Sequence, residues 1–292
     1  MTYLIYAFKE IIWGIYNVLL NGFYYCRFYL RKKKLFSNPS INSVIKEGWE
    51  LTFQDEFDGT EIDFTKWNKW YSTHTQHKPG EVAGEASLDC IEVKDGYLHL
   101  NVKDNPGGDY PLKIGWLNSA KWQYIKDGGL ATSGFEQQYG YFEIRCKPPK
   151  QGLKYWPAFW LYGNTWPPEI DIFEFMGEDD VGKDYTRSIS MTEHFGTSGK
   201  MGKTGFLGTQ LGRTLKGINW NEGFHTYACR WEWNYIEFYI DNVKVYRIVY
   251  NVPNIKMSVI VNTAGKLGYL PKPEELPADF VVDYIRVYEK KY

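Results

Sequence analysis

Beyond residue 48 the chain has no long segment of helical period. It consists of short stretches in which apolar and polar residues alternate, punctuated by Gly, Pro, Asn and Asp. Alternation with period two marks a strand with one buried face, and strands without intervening helices argue for antiparallel sheets in a sandwich or barrel. The stretches are "GYLHLNV" (96–102), "YGYFEIRCK" (139–147), "YWPAFWLYG" (155–163), "EIDIFEF" (169–175), "SISMTEHF" (188–195), "HTYACRWEW" (225–233), "YIEFYID" (235–241), "MSVIVNT" (257–263) and "FVVDYIRVYE" (280–289). "KDG" at 94–96 and the corner in "WEWNYIEF" read as hairpin turns. No long internal repeat recurs, which disfavours a propeller or solenoid. A chain of 292 residues has room for one large all-β domain.

Alternation also assigns faces. Phe142, Ile144 and Cys146 point one way, and Tyr141, Glu143 and Arg145 the other. Ile189 and Met191 oppose Ser190, Thr192 and His194, and Ile170 and Ile172 oppose Glu169 and Asp171. Each strand thus has an apolar side for a core between sheets and a polar side. Acids, His, Arg and Trp together on polar faces describe a cleft better than a solvated surface. The aromatic share, 18% with 12 Trp and 24 Tyr, exceeds what a core alone requires and suits flat ligands such as sugar rings.

Composition also excludes. A formal net charge of −1 gives no overall attraction to nucleic acid, and no such partner is expected. Cys26, Cys90, Cys146 and Cys229 are widely spaced with no CxxC pair, so buried free thiols are expected instead of a disulfide framework or zinc site. His74 and His77 sit among loop residues and read as loop.

Residues 1–34 are apolar and aromatic, then sharply basic at "RKKK" (31–34). The charge follows the apolar run and no A-x-A site appears, so the stretch does not read as a cleavable signal peptide. From Ile11 to Cys26 a helix would span roughly 24 Å, slightly short of a bilayer core. Three readings are open: an uncleaved anchor, a helix in the membrane interface, or a helix packed on the protein or on a partner chain. A spanning helix with that basic run after it would leave the body on the cytoplasmic side. With "FSNPSINSVIKEG" (36–48) as linker, the expected division is an N-terminal hydrophobic helix and linker, 1–47, and a folded all-β domain, 48–292.

"PPEIDIFEFMG" (167–177) places three acids, Glu169, Asp171 and Glu174, in one apolar run. Strict alternation would set Phe173 with the first two acids and turn Glu174 away. One extra residue near Phe173, a β-bulge, returns Glu174 to the face of Glu169, about four strand steps or roughly 13 Å away at Cα. Leaning side chains on a bent strand can bring the carboxyls far closer. Retaining glycosidases need them about 5–5.5 Å apart, inverting ones about 6.5–9.5 Å, and convergence on one strand suits the shorter gap.

Those residues and their flanks resemble glycoside hydrolase family 16, in its laminarinase- and agarase-like members. Those carry E-x-D-x-x-E with a bulge on the concave strand of a jelly roll. Here it stands as Glu169-Ile-Asp171-Ile-Phe-Glu174, with "DEFDGTEID" before it, "FHTYACRWEWNYIEFYIDN" after it and "VVDYIRVYE" at the end, over residues 49 to 289. The resemblance implies a β-sandwich jelly roll with a concave substrate cleft and a retaining endo-glycosidase acting by double displacement. Glu169 would be the nucleophile, Asp171 its assistant and Glu174 the general acid/base. His194 would stand by the carboxylates, Trp156 and Trp160 would stack sugars, and Arg145 and Asn262 would bond substrate hydroxyls. It further implies a structural calcium held by Glu56, the carbonyl of Gly96 and Asp283, with no cofactor needed for the chemistry.

The expected partner is a polysaccharide met outside the cell by a monomeric catalytic domain, with membrane association through residues 1–34 as an added expectation. A β-1,3-glucan is the first candidate polymer. "GEVAGEASLDCIEV" (80–93) stands where laminarinase-like members have an Asn-Asn-Glu stretch, which keeps a sulfated galactan such as agar, porphyran or carrageenan open, with Arg145, Lys154 or Arg187 for sulfate groups. A transglycosylase or a non-catalytic sugar-binding module on the same fold are the remaining alternatives.

Overall fold

The structure is a computed structural model, and it describes residues 12, 15–16, 18–24, 26–30, 48–68, 83–124, 130–149, 155–163, 167–175, 188–195, 210–216, 220–265, 268 and 270–291. Among these, the strands form two large sheets. The ten-stranded sheet runs Val243–Ile248, Tyr235–Ile240, His225–Glu232, Gly140–Lys147, Ala278–Lys290, Tyr97–Asp104, Leu112–Ile114, Gly84–Ala86; Trp49–Asp55 pairs with Ala278–Lys290 and Ile91–Lys94 with Tyr97–Asp104. The six-stranded sheet runs Gln210–Lys216, Ser188–His194, Glu169–Glu174, Ala158–Tyr162, Ser258–Asn262, Trp116–Asn118. Every pair in these sheets is antiparallel except the short Gly84–Ala86/Leu112–Ile114 contact. The "KDG" turn is as read: Asp95 (φ 53°) and Gly96 (φ 79°) both take the left-handed backbone that a tight two-residue hairpin needs.

The two sheets pack face to face, as a β-sandwich of the jelly-roll type. Phe142, Ile144 and Cys146 from one sheet meet Phe159, Leu161, Ile170, Ile172, Phe173, Ile189, Met191, Val259 and Val261 from the other in a single core. Parity then leaves Ala158, Trp160, Tyr162, Glu169, Asp171, Glu174, Ser190, Thr192, His194 and Asn262 on the opposite face of the six-stranded sheet. That face carries the candidate site.

One acid lies on the core side of the six-stranded sheet. Glu193 shares the core side with Ile189 and Met191, is fully buried, and neither carboxylate oxygen has a hydrogen-bond partner among the described residues. Burial raises its pKa well above the usual carboxylate range. The folded state must therefore take up a proton that the unfolded chain releases above about pH 4.3, so this residue's contribution to stability falls as pH rises from there toward the folded value. Glu193→Met is expected to raise stability at pH 7.5 by about 1–3 kcal/mol and by less at pH 4.5. Urea unfolding at the two pH values checks this; an equal change at both would refute it.

The described residues among 12–30 are helical, and this helix packs on the sandwich. The Asn21 amide donates to the Arg247 carbonyl (3.0 Å) and accepts from the Arg247 N–H (2.9 Å). Phe28, 1% exposed, joins the main core and stacks on Trp220 at 6.4 Å. Of the three sequence readings, packing on the protein is therefore observed for this stretch. No helix among the described residues is long and apolar enough to cross a membrane. All four cysteines are free, but only Cys90, Cys146 and Cys229 are buried; Cys26 is exposed on the helix, against expectation. His74, His77, Lys154, Arg187 and residues 31–47 lie outside the described residues.

Candidate active site

The strand Glu169–Glu174 carries an irregularity that both neighbours register. Against Ala158–Tyr162, Trp160 pairs with Asp171 and Phe159 with Phe173, so Ile172 is passed over. Against Ser188–His194, Asp171 pairs with Thr192 and Glu174 with Ser190, so Ile172 and Phe173 together lie opposite the single residue Met191. This β-bulge sends both Ile172 and Phe173 into the core and leaves Glu169, Asp171 and Glu174 on the opposite face. The reason is chemical: a bulge hides the two apolar side chains and keeps the acids out of a core where a charge would be expensive.

Around the acids the site is polar and packed. His194, directly across from Glu169, brings Nε2 to 3.1 Å from Asp171 Oδ2 and 3.6 Å from Glu169 Oε1. Asp171 is buried. Trp156, just ahead of Ala158–Tyr162, adopts a left-handed backbone (φ 41°) unusual for a bulky residue, and its indole N–H donates to Glu174 Oε1 at 2.9 Å. Loss of water contact lifts the Glu174 pKa to about 8; the nearby Asp171 charge adds to the rise, and the Trp156 hydrogen bond opposes it.

An acid held near 8 beside other carboxylates is protonated at neutral pH and able to donate. Trp156→Phe removes the one contact among the described residues that favours the ionised form, so the Glu174 pKa should climb further. The basic limb of the kcat/KM profile, expected near pH 8 in the native protein, should move up by roughly one pH unit. A limb that stays put or moves down would refute the assignment of that limb to Glu174.

Other residues named from the sequence fall less simply. Trp160 lies on the acid-bearing face, but only 8% of it is exposed; its N–H donates to Asn262 Oδ1 at 2.7 Å and its ring meets Trp116 and Tyr162 edge-on. Trp160 and Asn262 thus brace each other as the floor of the site, and the half-buried Trp156 keeps more ring surface open. Trp116 was missed in the sequence, because its place on this face follows only from its pairing with Asn262. Arg145 requires correction. Its strand, Gly140–Lys147, belongs to the ten-stranded sheet; with Phe142, Ile144 and Cys146 in the core, Arg145 faces out on the far side, bonded to Asp283 and lying over the Phe224 ring at 4.8 Å.

The calcium set does not fit either. Both oxygens of Glu56 accept from Arg286 in a two-point fork, Nε and Nη2 each at 2.7 Å, and Asp283 is taken by Arg145. A cation there would have to displace two guanidinium groups that already neutralise the acids. Thermal unfolding is accordingly expected to show the same midpoint with calcium and with EDTA; a rise of several degrees with calcium would contradict this. Among the described residues the one cluster with metal-ligand types is Glu169, Asp171 and His194, with atoms within 4.8 Å of each other. Its imidazole and small oxygen count suit calcium poorly.

The chain is similar to known proteins. The domain family described as "Beta-porphyranase A-D, GH16 domain" matches residues 49–290. The chain is 28% identical over 280 residues to glucan endo-1,3-beta-glucosidase A1 of Niallia circulans, covering 84% of this chain and 38% of that protein. It is 27% identical over 201 residues to beta-porphyranase E of Zobellia galactanivorans, covering 65% of each. The chain thus spans well under half the length of the first of these relatives. Among solved structures, the catalytic domain of an endo-1,3-beta-glucanase (laminarinase) from Thermotoga petrophila is similar with a TM-score of 0.66 and 26% identity, covering 84% of this chain and 99% of that one.

Proposed function

The chain belongs to glycoside hydrolase family 16, and on that premise we propose that it is a retaining endo-glycosidase that cuts internal β-glycosidic bonds of a polysaccharide by double displacement. The observation that carries this reading is the bulge, which gathers Glu169, Asp171 and Glu174 on one face with His194 and Trp156 against them. Glu169 attacks the anomeric carbon while Glu174 protonates the leaving oxygen. Glu174, then ionised, takes a proton from the water that releases the glycosyl group from Glu169. Asp171 and His194 orient and stabilise the nucleophile. These steps use the chain's own side chains and need no cofactor.

We assign catalysis to residues 48–292, acting outside the cell, and take residues 1–34 as a means of association with a membrane. A β-1,3-glucan is the preferred substrate, supported by the names of the Niallia relative and the Thermotoga structure. A sulfated galactan is the second reading, favoured by the porphyranase description of the matching family and by the Zobellia relative. Reducing-end release from laminarin, lichenan, agarose and porphyran, with sizing of the products, tests both. Release from laminarin alone supports the first, and release from porphyran or agarose alone the second. Binding without release would sink the enzymatic reading, and products longer than the input would indicate transglycosylation.

A further inference from the structure

The N-terminal helix is apolar on both of its sides. Asn21 and Phe28 hold the inner side against the sandwich. On the opposite side Ile12, Ile15, Leu19, Phe23, Cys26 and Leu30 face away from the protein, with Leu19 71%, Phe23 63% and Leu30 86% exposed. Their spacings are 3, 4, 4, 3 and 4 residues, a mean of 3.6. That is the period of a straight helix, so the stripe runs along one side without the drift that a 3.5-residue coiled-coil seam would impose. A straight stripe suits a flat apolar surface better than a supercoiling partner helix.

Charge identifies the surface. Residues 1–34 hold six basic residues against one acidic, a formal +5, whereas the remaining residues hold 28 basic against 34 acidic, a formal −6. Arg27 is exposed on the helix, and Arg31, Lys32, Lys33 and Lys34 follow Leu30 directly in the sequence. Anionic headgroups attract the first set and repel the acidic body, which orients the molecule with the helix down. Because the inner side is already packed on the protein, the helix cannot cross the bilayer.

We propose that this helix lies in the plane of an anionic lipid bilayer, its outer stripe among the acyl chains, and carries the sandwich above it. This deepens the membrane association assigned above and does not depend on which polymer is cut. The test is sedimentation of the 292-residue chain with vesicles of phosphatidylcholine, alone or mixed with phosphatidylglycerol, at low and high salt.

Binding to the anionic vesicles is expected to weaken with salt and to fall at least about tenfold in Leu19→Asp/Phe23→Asp. A second variant, Lys32→Glu/Lys33→Glu, should lose the preference for anionic lipid. Circular dichroism confirms folding, and hydrolysis of a soluble oligosaccharide should be unchanged in both variants, so a failure of the catalytic reading would be seen separately. The proposal is overturned if the native protein ignores anionic vesicles or if the variants bind as well as it does. It is equally overturned if light scattering shows a dimer that Leu19→Asp/Phe23→Asp dissolves, since a second copy would then cover the stripe.

Discussion

Glu169→Ala is expected to lower kcat/KM at least about a thousandfold while leaving the circular dichroism spectrum unchanged. The nucleophile forms and breaks a bond to carbon in both half-reactions, and neither Asp171 nor a water can occupy its place without losing the enforced geometry. Such a loss is about 4 kcal/mol of transition-state stabilisation. Added azide should restore turnover of an activated aryl glycoside by entering from the vacated side, with inverted configuration at the anomeric carbon. Glu174→Gln should behave differently. The loss should be about 10²–10⁴-fold on polysaccharide, where the leaving sugar needs a proton, and far smaller in the first step with a good aryl leaving group. If Glu169→Ala kept activity within tenfold of native, or if azide rescued Glu174→Gln with inversion, the two roles would be wrongly assigned.

The second large effect concerns the bulge itself. Four residues, Asp171 to Glu174, lie opposite three, Ser190 to Thr192, on the neighbouring strand. Inserting one alanine after Phe173 would turn Glu174 toward the core, and activity should fall by at least about a thousandfold, with stability reduced by the buried acid. Deleting Ile172 should do the opposite. The sequence then alternates regularly as Glu-Ile-Asp-Phe-Glu, with all three acids still on one face. Deletion should cost stability, about 2–5 kcal/mol for the lost core side chain, and retain measurable hydrolysis. Urea unfolding and a reducing-end assay on the pair decide the matter; an active insertion variant, or a folded deletion variant without activity, would refute the face assignment.

Much of this was legible in the sequence because a sheet's side-chain period is a local property. Phe142, Ile144 and Cys146, or Ile189 and Met191, declare their face through their own spacing, and the core contains them as read. The bulge was legible for a related reason: Phe173 and Glu174 could not both obey strict alternation without placing an aromatic with the acids.

What local pattern cannot tell is which sheet a strand joins. Arg145 alternates as a cleft residue would, yet its strand lies in the sheet away from the acids, where Asp283 holds it. Glu56 has the right chemistry for a cation and found one in Arg286, 230 positions away. Trp116 needed its partner strand to be placed. Glu193 follows the apolar parity while being an acid, and no spacing rule announces a carboxyl that is buried without a partner. The sequence left the helix around residues 18–30 open between lipid and protein, because a docked apolar face and a free one are alike in composition.

The Asn21 side chain has a consequence for how the protein can be handled. Among the described residues Val243–Ile248 is the outermost strand of its sheet, with peptide groups along one flank that could recruit another chain. The Asn21 amide occupies both hydrogen-bonding groups of Arg247 there, as a one-residue stand-in for a neighbouring strand. A version trimmed to the family boundary at residue 49 would lose this guard and would uncover Trp220 where Phe28 had covered it. Such a shortened protein would be prone to join copies of itself margin to margin, so preparations meant for crystals or assays are better begun upstream of Asn21.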